Sequence, residues 1–213
     1  MTNGYDSLNR LQTVSKLING ANVYTKYYYD AVGNKKAVQN ERGFYTVCTY
    51  DSMNRPKTVT DSETDTSLKT YSEAQIISLA GQMTNSLKKT VTYGYDLAGN
   101  KTSLIDANGY ETDYAYDCLN RLQTIKAPYD PSKPDSSTNP HNQVIDEKVY
   151  DENSNLSKEI DAKGYLSGSD DSSRYGTAYT YDYANHLLTV LDPEGKSKGL
   201  AFTTQYVYNQ SVY

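Results

Sequence analysis

Short stretches in which hydrophobic and polar residues alternate recur along the chain, and turn-forming residues separate them. Tyr93 and Tyr95 are two positions apart, which places both rings on one face of a strand. After them, Asp96 can accept hydrogen bonds from turn amides, and Gly99 tolerates a left-handed backbone. The chain then returns through residues 101–105, so the pattern predicts a β-hairpin.

A second turn signal, Asp106–Gly109, follows this hairpin and leads into the next strand. The whole unit recurs with constant spacing. Seven Tyr-Asp (YD) pairs begin it: Tyr5-Asp6, Tyr29-Asp30, Tyr50-Asp51, Tyr95-Asp96, Tyr116-Asp117, Tyr150-Asp151 and Tyr181-Asp182. Four places after the Tyr comes a residue suited to a left-handed turn, at Asn9, Gly33, Asn54, Gly99, Asn120 and Asn185, with Ser154 as the exception. Nine places after it comes Val14, Val38, Val59, Leu104, Ile125 or Val190, with Glu159 as the exception. Eleven places after the Tyr comes Asp61, Asp106, Asp161 or Asp192, and fourteen places after it comes Gly43, Gly109, Gly164 or Gly195. These offsets indicate a repeat architecture.

The predicted organisation is one repeat region over residues 1–213. Units start near residues 5, 29, 50, 95, 116, 150 and 181, with a degenerate unit near 71 and a partial one near 208. Insertions interrupt the repeat at 62–90, 128–142 and 166–174. Ser72 as N-cap, Gln75 as its capping-box partner and Gly81 as the stop predict a short helix near 72–80. The proline-rich insertion 128–142 is predicted to be a flexible surface loop.

The YD turns and the DxxG turns Asp106–Gly109, Asp161–Gly164 and Asp192–Gly195 resemble the RHS/YD-repeat family. That family includes bacterial RHS proteins, wall-associated proteins, cocoon subunits of insecticidal toxin complexes and animal teneurins. The resemblance covers nearly the whole chain apart from the insertions. It implies an all-β fold of repeated antiparallel β-hairpins that form a curved, spiralling sheet strip, an open segment of a β-shell. In many members this shell encloses a C-terminal toxin, and the resemblance implies a bacterial protein that is secreted or at the cell surface.

Some family members end the repeats with a DPxGxxGG-like motif associated with self-cleavage. Residues 192–195 match only its first letters, and the glycines that should follow are absent. The spacing makes this segment an ordinary second turn, so self-cleavage is not expected.

Composition excludes several classes of function. The net charge is −5 and the pI about 5.1, so no basic stripe for nucleic acid is expected. No apolar run is long enough to span a membrane, and the first ten residues do not have the pattern of a signal peptide. The chain has 23 Tyr, 2 Phe and no Trp, so tyrosine supplies the aromatic surface. Cys48 is expected in the core and Cys118 in an exposed turn; a disulfide between them stays open.

No catalytic constellation interrupts the repeat. The YD aspartates are candidates for a cation or sugar site, but a turn-capping role is the preferred interpretation. Residues 170–173 match no defined calcium loop, and neither His141 nor His186 has a nucleophile motif beside it. We therefore expect no enzyme activity, no metal site and no cofactor.

Three functions remain. The first is a structural segment of an RHS/YD-repeat shell that encapsulates or presents a cargo. The second is a module that binds cell-surface carbohydrate or protein through exposed tyrosines, with candidates Tyr27, Tyr29, Tyr93, Tyr95, Tyr114, Tyr116, Tyr179 and Tyr181. The third is an extracellular fibre built by edge-strand pairing. Both ends lie within the pattern, so expected partners are flanking repeats or neighbouring copies that pair with open sheet edges.

Overall fold

The computed structural model describes residues 1–61, 72, 75, 89–162, 176–192 and 202–208. Within these ranges, fifteen strands follow one another in a single sheet in their order along the chain. Their bounds are β1 Thr2–Tyr5, β2 Leu11–Ile18, β3 Ala21–Tyr29, β4 Lys35–Gln39, β5 Tyr45–Tyr50, β6 Pro56–Asp61, β7 Lys89–Tyr95, β8 Lys101–Ile105, β9 Glu111–Tyr116, β10 Leu122–Lys126, β11 Val144–Tyr150, β12 Leu156–Asp161, β13 Gly176–Tyr181, β14 Leu187–Leu191 and β15 Thr203–Gln205. Among the described strands, the sheet order begins at β1 and ends at β15 without closing. The predicted all-β fold of antiparallel hairpins is confirmed.

The chain forms two compact bodies. The first contains residues 1–94 and 104–109, and the second contains residues 95–103 and 110–213. In the first body, β1 to β7 pair antiparallel, each with the next. In the second body, β9 to β15 do the same.

A β-bulge recurs beside the YD tyrosine. The register shifts at this position in the hairpins of Tyr5, Tyr29, Tyr50, Tyr116, Tyr150 and Tyr181. The bulge explains why a proline is accepted at Pro56, the partner of Tyr50. Proline cannot donate to a strand ladder, and the ladder is already interrupted there.

Each body has a small buried centre. In the first, Val47 pairs with Ala37 and Thr60, and all three are buried. The buried Tyr45 lies beside them, with its ring 6.1 Å from that of Tyr28. In the second body, Ile160 on β12 is only 3% exposed. Tyrosine rings therefore complete a core in which aliphatic side chains are few.

The predicted helix near 72–80 lies largely outside the described residues. At its start, the Ser72 amide and hydroxyl both donate to Gln75 Oε1, at 2.8 and 2.9 Å. The Gln75 amide in turn donates to Ser72 Oγ at 3.4 Å. This reciprocal pair is the expected capping box. The degenerate unit near 71 and the insertion 166–174 also lie outside the described residues, as does most of insertion 62–90.

The proline-rich insertion forms a surface loop organised around Asn139. Its side chain accepts the Asp130 amide at 2.7 Å and donates to the Asp130 carbonyl at 3.0 Å. Short bridges pair Ser136 with Asn139 and Glu111 with Tyr129. Nothing in the composition of this insertion indicated that one buried asparagine would hold it together.

Candidate functional site

The seven YD turns are built in one way, around the aspartate carboxylate. In Asp117, Oδ1 accepts the amides of Leu119 and Arg121 at 2.9 and 3.0 Å, and Oδ2 pairs with Arg121 Nε at 2.6 Å. The amide four residues later meets Oδ1 in all seven turns. The side chain of that same residue meets Oδ2 in all seven as well. The carboxylates therefore cap their own turns.

These contacts favour the ionised aspartate. The Arg121 amide is the main cause that lowers the pKa of Asp117, and the Arg121 side chain adds to it. The pKa is lowered in the other six YD aspartates too.

In all seven YD turns, the residue four places after the tyrosine has a left-handed backbone. The φ angles are 60° at Asn9, 61° at Asn54, 60° at Asn120, 63° at Asn185 and 70° at Ser154, and Gly33 and Gly99 adopt 95°. Ser154, the exception in sequence, is thus no exception in structure. The turn imposes the conformation even on a residue that disfavours it.

Ser154→Gly is expected to raise the free energy of unfolding by about 0.5–1 kcal/mol, because glycine adopts a φ near 70° without a Cβ clash. Urea denaturation measures the change. Gly33→Ser, which introduces the same strain where none exists, should lower stability instead. A Ser154→Gly variant no more stable than the parent would contradict the assignment of strain.

Five of the seven YD tyrosine hydroxyls join their hairpin to the one before it. Each of these five donates to a backbone carbonyl oxygen just after the turn of the preceding hairpin. The bonds run from Tyr29 to Leu11 (2.8 Å), Tyr50 to Lys35 (2.9 Å), Tyr116 to Lys101 (3.0 Å), Tyr150 to Leu122 (2.9 Å) and Tyr181 to Leu156 (3.0 Å). Sequence reasoning placed three of these rings among the ligand-binding candidates and missed this role. The sequence signal for this role was that the first residue of the seven YD pairs is always Tyr and never Phe.

Removing one such hydroxyl tests the connection. Tyr116→Phe is expected to lower the free energy of unfolding by about 1 kcal/mol, because the Lys101 carbonyl loses its donor. Tyr5→Phe is the matched control, since the Tyr5 hydroxyl has no hydrogen-bond partner among the described residues; it should change stability little. Equal losses in the two variants, measured by urea denaturation, would disprove the connection.

The hairpins fall into two alternating types. In a cation-type hairpin the left-handed residue is Asn and the next is Arg or His: Asn9-Arg10, Asn54-Arg55, Asn120-Arg121 and Asn185-His186. In an amide-type hairpin the left-handed residue is Gly or Ser and the next is Asn: Gly33-Asn34, Gly99-Asn100 and Ser154-Asn155. The alternation was not predicted from the sequence, because both sets of residues suit a left-handed turn.

The two types make different contacts with the hairpin that follows. From an amide-type hairpin, the Asn Nδ2 donates to the left-handed Asn of the next turn: Asn34 to Asn54, Asn100 to Asn120 and Asn155 to Asn185, each at 2.9 Å. From a cation-type hairpin, Arg10 lies 4.6 Å from the Tyr29 ring centre and Arg121 lies 4.4 Å from that of Tyr150. His186 stacks on Tyr208 at 5.0 Å in the same way. The contact that joins two neighbouring hairpins thus depends on the type of the first hairpin.

The hairpin of Tyr150 has two residues that depart from the repeat pattern and pair with each other. Glu159 stands where other units have Val, Leu or Ile, and Lys148 stands opposite it, where Tyr27, Tyr114 and Tyr179 stand in other hairpins. Lys148 Nζ lies 2.6 Å from Glu159 Oε1. Desolvation acts to lower the pKa of Lys148, but hydrogen bonds with Asp146 and Glu159 outweigh it and raise that pKa. An ion pair therefore replaces an aromatic–aliphatic pair.

A double-mutant cycle tests this replacement. Lys148→Tyr and Glu159→Val are each expected to lower the free energy of unfolding by about 1 kcal/mol, because the first removes the ion-pair partner of Glu159 and the second leaves Lys148 paired with Asp146 alone. The double variant creates a Tyr–Val pair like Tyr27–Val38 and Tyr179–Val190 and should recover most of the loss. Additive losses, measured by urea denaturation, would contradict the pairing.

The remaining tyrosine candidates are half-buried. Lys35 Nζ lies 5.1 Å from the Tyr27 ring centre, and Lys101 Nζ lies 4.3 Å from that of Tyr114. The Tyr179 hydroxyl donates to Glu159 at 3.5 Å. Tyr93 and Tyr95 lie on β7, also half-buried. Tyr27, Tyr114 and Tyr179 therefore contact neighbouring side chains on the sheet.

The most exposed tyrosine of the described turns was not among the candidates. The Tyr183 side chain is fully exposed and lines a cleft of about 400 Å³ in the second body. The other lining residues are Asp151, Asn153, Asn155, Tyr181, Asp182 and Leu188. An aromatic ring beside carboxylate and amide groups offers both stacking and hydrogen bonds to a polar ligand.

The histidines and cysteines lie in separate settings. His141 stacks on Tyr129 at 4.4 Å, and the Tyr129 hydroxyl donates to Glu111 at 3.1 Å. Burial, then the Asp113 charge and the Glu111 contact, raise the pKa of Tyr129 to about 12. Cys48 is half-buried and Cys118 exposed, and both are free thiols. In the described ranges, no three His, Cys, Asp or Glu side chains come together to hold a metal. No helix there is long and apolar enough to cross a membrane.

No protein-family model and no curated protein matches the chain. Solved structures do. A crystal structure of TcdB2-TccC3 matches with a TM-score of 0.63 and 14% identity, over 98% of this chain and 10% of that one. TcdB2-TccC3 without its hypervariable C-terminal region matches with a TM-score of 0.57 and 16% identity, over 88% and 9%. The Photorhabdus luminescens Tc holotoxin pore matches with a TM-score of 0.55 and 16% identity, over 86% and 8%. The likeness shows a shared fold, and this chain spans about a tenth of the length of those chains.

Proposed function

We propose that the chain is a structural, non-enzymatic segment of an RHS/YD-repeat shell, a wall of hairpins that encloses or presents a cargo such as a toxin domain. The observation that carries the proposal is the tyrosine connection between hairpins. The same hydroxyl-to-carbonyl bond recurs at five junctions, with donor–acceptor distances of 2.8–3.0 Å.

The recurrence of this bond supports a structural role in an extended sheet. The recurring residues cap a turn or join it to its neighbour, so further hairpins can be added by the same contacts. The folds of the toxin-complex chains support the same role. As the family resemblance implies, the proposal places the protein outside a bacterial cell, either secreted or at the cell surface.

Limited proteolysis of the complete gene product that carries this chain tests the role. The expected result is that a segment outside the repeats resists protease while the hairpins are folded. Once urea unfolds the hairpins, that segment should be cut at the rate of the same segment expressed alone. Equal cutting rates in the folded state, or a gene product with no segment besides the repeats, would overturn a cargo carried in the same chain.

A second candidate, carbohydrate binding, is favoured by the Tyr183 cleft. A sugar ring can stack on Tyr183 while Asp and Asn groups accept or donate to its hydroxyls. Saturable binding on a glycan array that Tyr183→Ala abolishes would support it. Leu97→Ala is the matched control, because Leu97 is equally exposed at the same position of another YD turn. Binding unaffected by Tyr183→Ala would place any glycan site elsewhere.

A further inference from the structure

The outer side of the first hairpin carries two polar side chains that have no hydrogen-bond partner among the described residues. Tyr5 ends β1 and is 56% exposed, and Asn9 is the exposed left-handed residue of its turn. Neither side chain makes a hydrogen bond with any residue that the structure describes. β1 is also the first strand in the sheet order, and among the described strands β2 is its hydrogen-bonded neighbour.

The equivalent groups of later hairpins are occupied by the preceding hairpin. In Tyr116 and Tyr181 the hydroxyl donates to a carbonyl of that neighbour. In the same two hairpins, Asn120 and Asn185 accept a hydrogen bond from its asparagine side chain. In each case the preceding hairpin is of the amide type.

We propose that β1, Tyr5 and Asn9 form a docking surface for an amide-type YD hairpin, and that this surface prefers that type over the cation type. The docked hairpin would supply a strand to β1, a backbone carbonyl to the Tyr5 hydroxyl and an asparagine Nδ2 to Asn9 Oδ1. This inference rests on the proposed function and names the partner that the wall accepts on this side.

The preference follows from the alternation. Each cation-type hairpin whose predecessor is described follows an amide-type one, and the connecting bond has a length of 2.9 Å at each of these three junctions. By contrast, the hairpins that follow Arg10 and Arg121 carry Gly33 and Ser154 at the left-handed position. Asn9 therefore marks the first hairpin as one that follows an amide-type neighbour.

An extra hairpin fused to the full chain tests the surface. A copy of residues 89–111 is joined directly to Met1, which places the copied Gly109 seven residues before Tyr5, the spacing between Gly109 and Tyr116. The copied Asn100 and Lys101 then supply the two hydrogen-bond partners. Amide hydrogen exchange by NMR is expected to slow at least tenfold at the outward-facing amides of β1.

Three matched fusions measure the type preference. Asn100→Ala in the copy removes the donor to Asn9, and Gly99→Asn with Asn100→Arg converts the copy to the cation type. Tyr5→Phe removes the other bond. Each change is expected to raise the exchange rate of the β1 amides about fivefold above that of the unaltered fusion. This factor corresponds to the loss of one hydrogen bond. Unchanged β1 exchange with the unaltered copy would overturn the docking surface, and equal protection by all copies would overturn its preference. Either result is independent of whether a cargo is shielded in the protease test.

Discussion

Lowering the pH below about 4 is expected to unfold the hairpins, because seven turns depend on an ionised aspartate. The pKa is lowered in all seven YD aspartates. A carboxyl whose pKa is lower in the folded chain than in the unfolded chain stabilises the fold above its unfolded value of about 3.9. That contribution is lost as the pH falls through the folded pKa. Since the loss occurs at every YD turn, the combined effect should be large.

Urea denaturation from pH 7 to pH 2 measures this loss. Asp117→Asn is the informative variant, because its Oδ1 can still accept amide hydrogen bonds while the charge and the Arg121 ion pair are gone. The turn at Asn40 shows that an amide can cap in this way: Asn40 Oδ1 accepts the Arg42 and Phe44 amides, each at 3.0 Å. The variant should be less stable at pH 7 and lose less on acidification. A free energy of unfolding that is constant down to pH 2 would show that the carboxylates do not hold the turns.

Ile160→Ala is expected to lower the free energy of unfolding by about 2–4 kcal/mol. Ile160 is 3% exposed on β12, where it pairs with Glu147 of β11 and Gly176 of β13. Truncation removes the largest aliphatic side chain at the buried centre of the second body, and glycine as a neighbour offers no side chain to fill the space. The loss should therefore include a cavity term as well as the transfer free energy of the deleted methyl groups.

Val149→Ala is the matched control for this core. Val149 lies on the adjacent strand but is 40% exposed, so its truncation should cost less than about 1 kcal/mol. Urea denaturation of both variants, with equal slopes, gives the comparison. Similar losses for the two would mean that burial at Ile160 does not stabilise the second body.

The local elements of this protein were predictable from sequence because each depends on residues close together in the chain. Asp117, Asn120 and Arg121 lie within one turn, and their order determines which amide meets which oxygen. The spacing of such turns then indicates hairpins and their repetition. The capping pair of Ser72 and Gln75 was predictable for the same reason.

The contacts between hairpins were decided by tertiary structure. Tyr116 and Lys101 are 15 positions apart, and Tyr150 and Leu122 are 28 apart, yet they make the same bond. Insertions vary these separations, so no constant offset in the sequence links donor to acceptor. The bond forms because antiparallel pairing brings the end of one hairpin's strand beside the start of its neighbour's. The hydroxyls of Tyr29, Tyr116 and Tyr181, three of the rings considered as ligand-binding candidates, thus join hairpins.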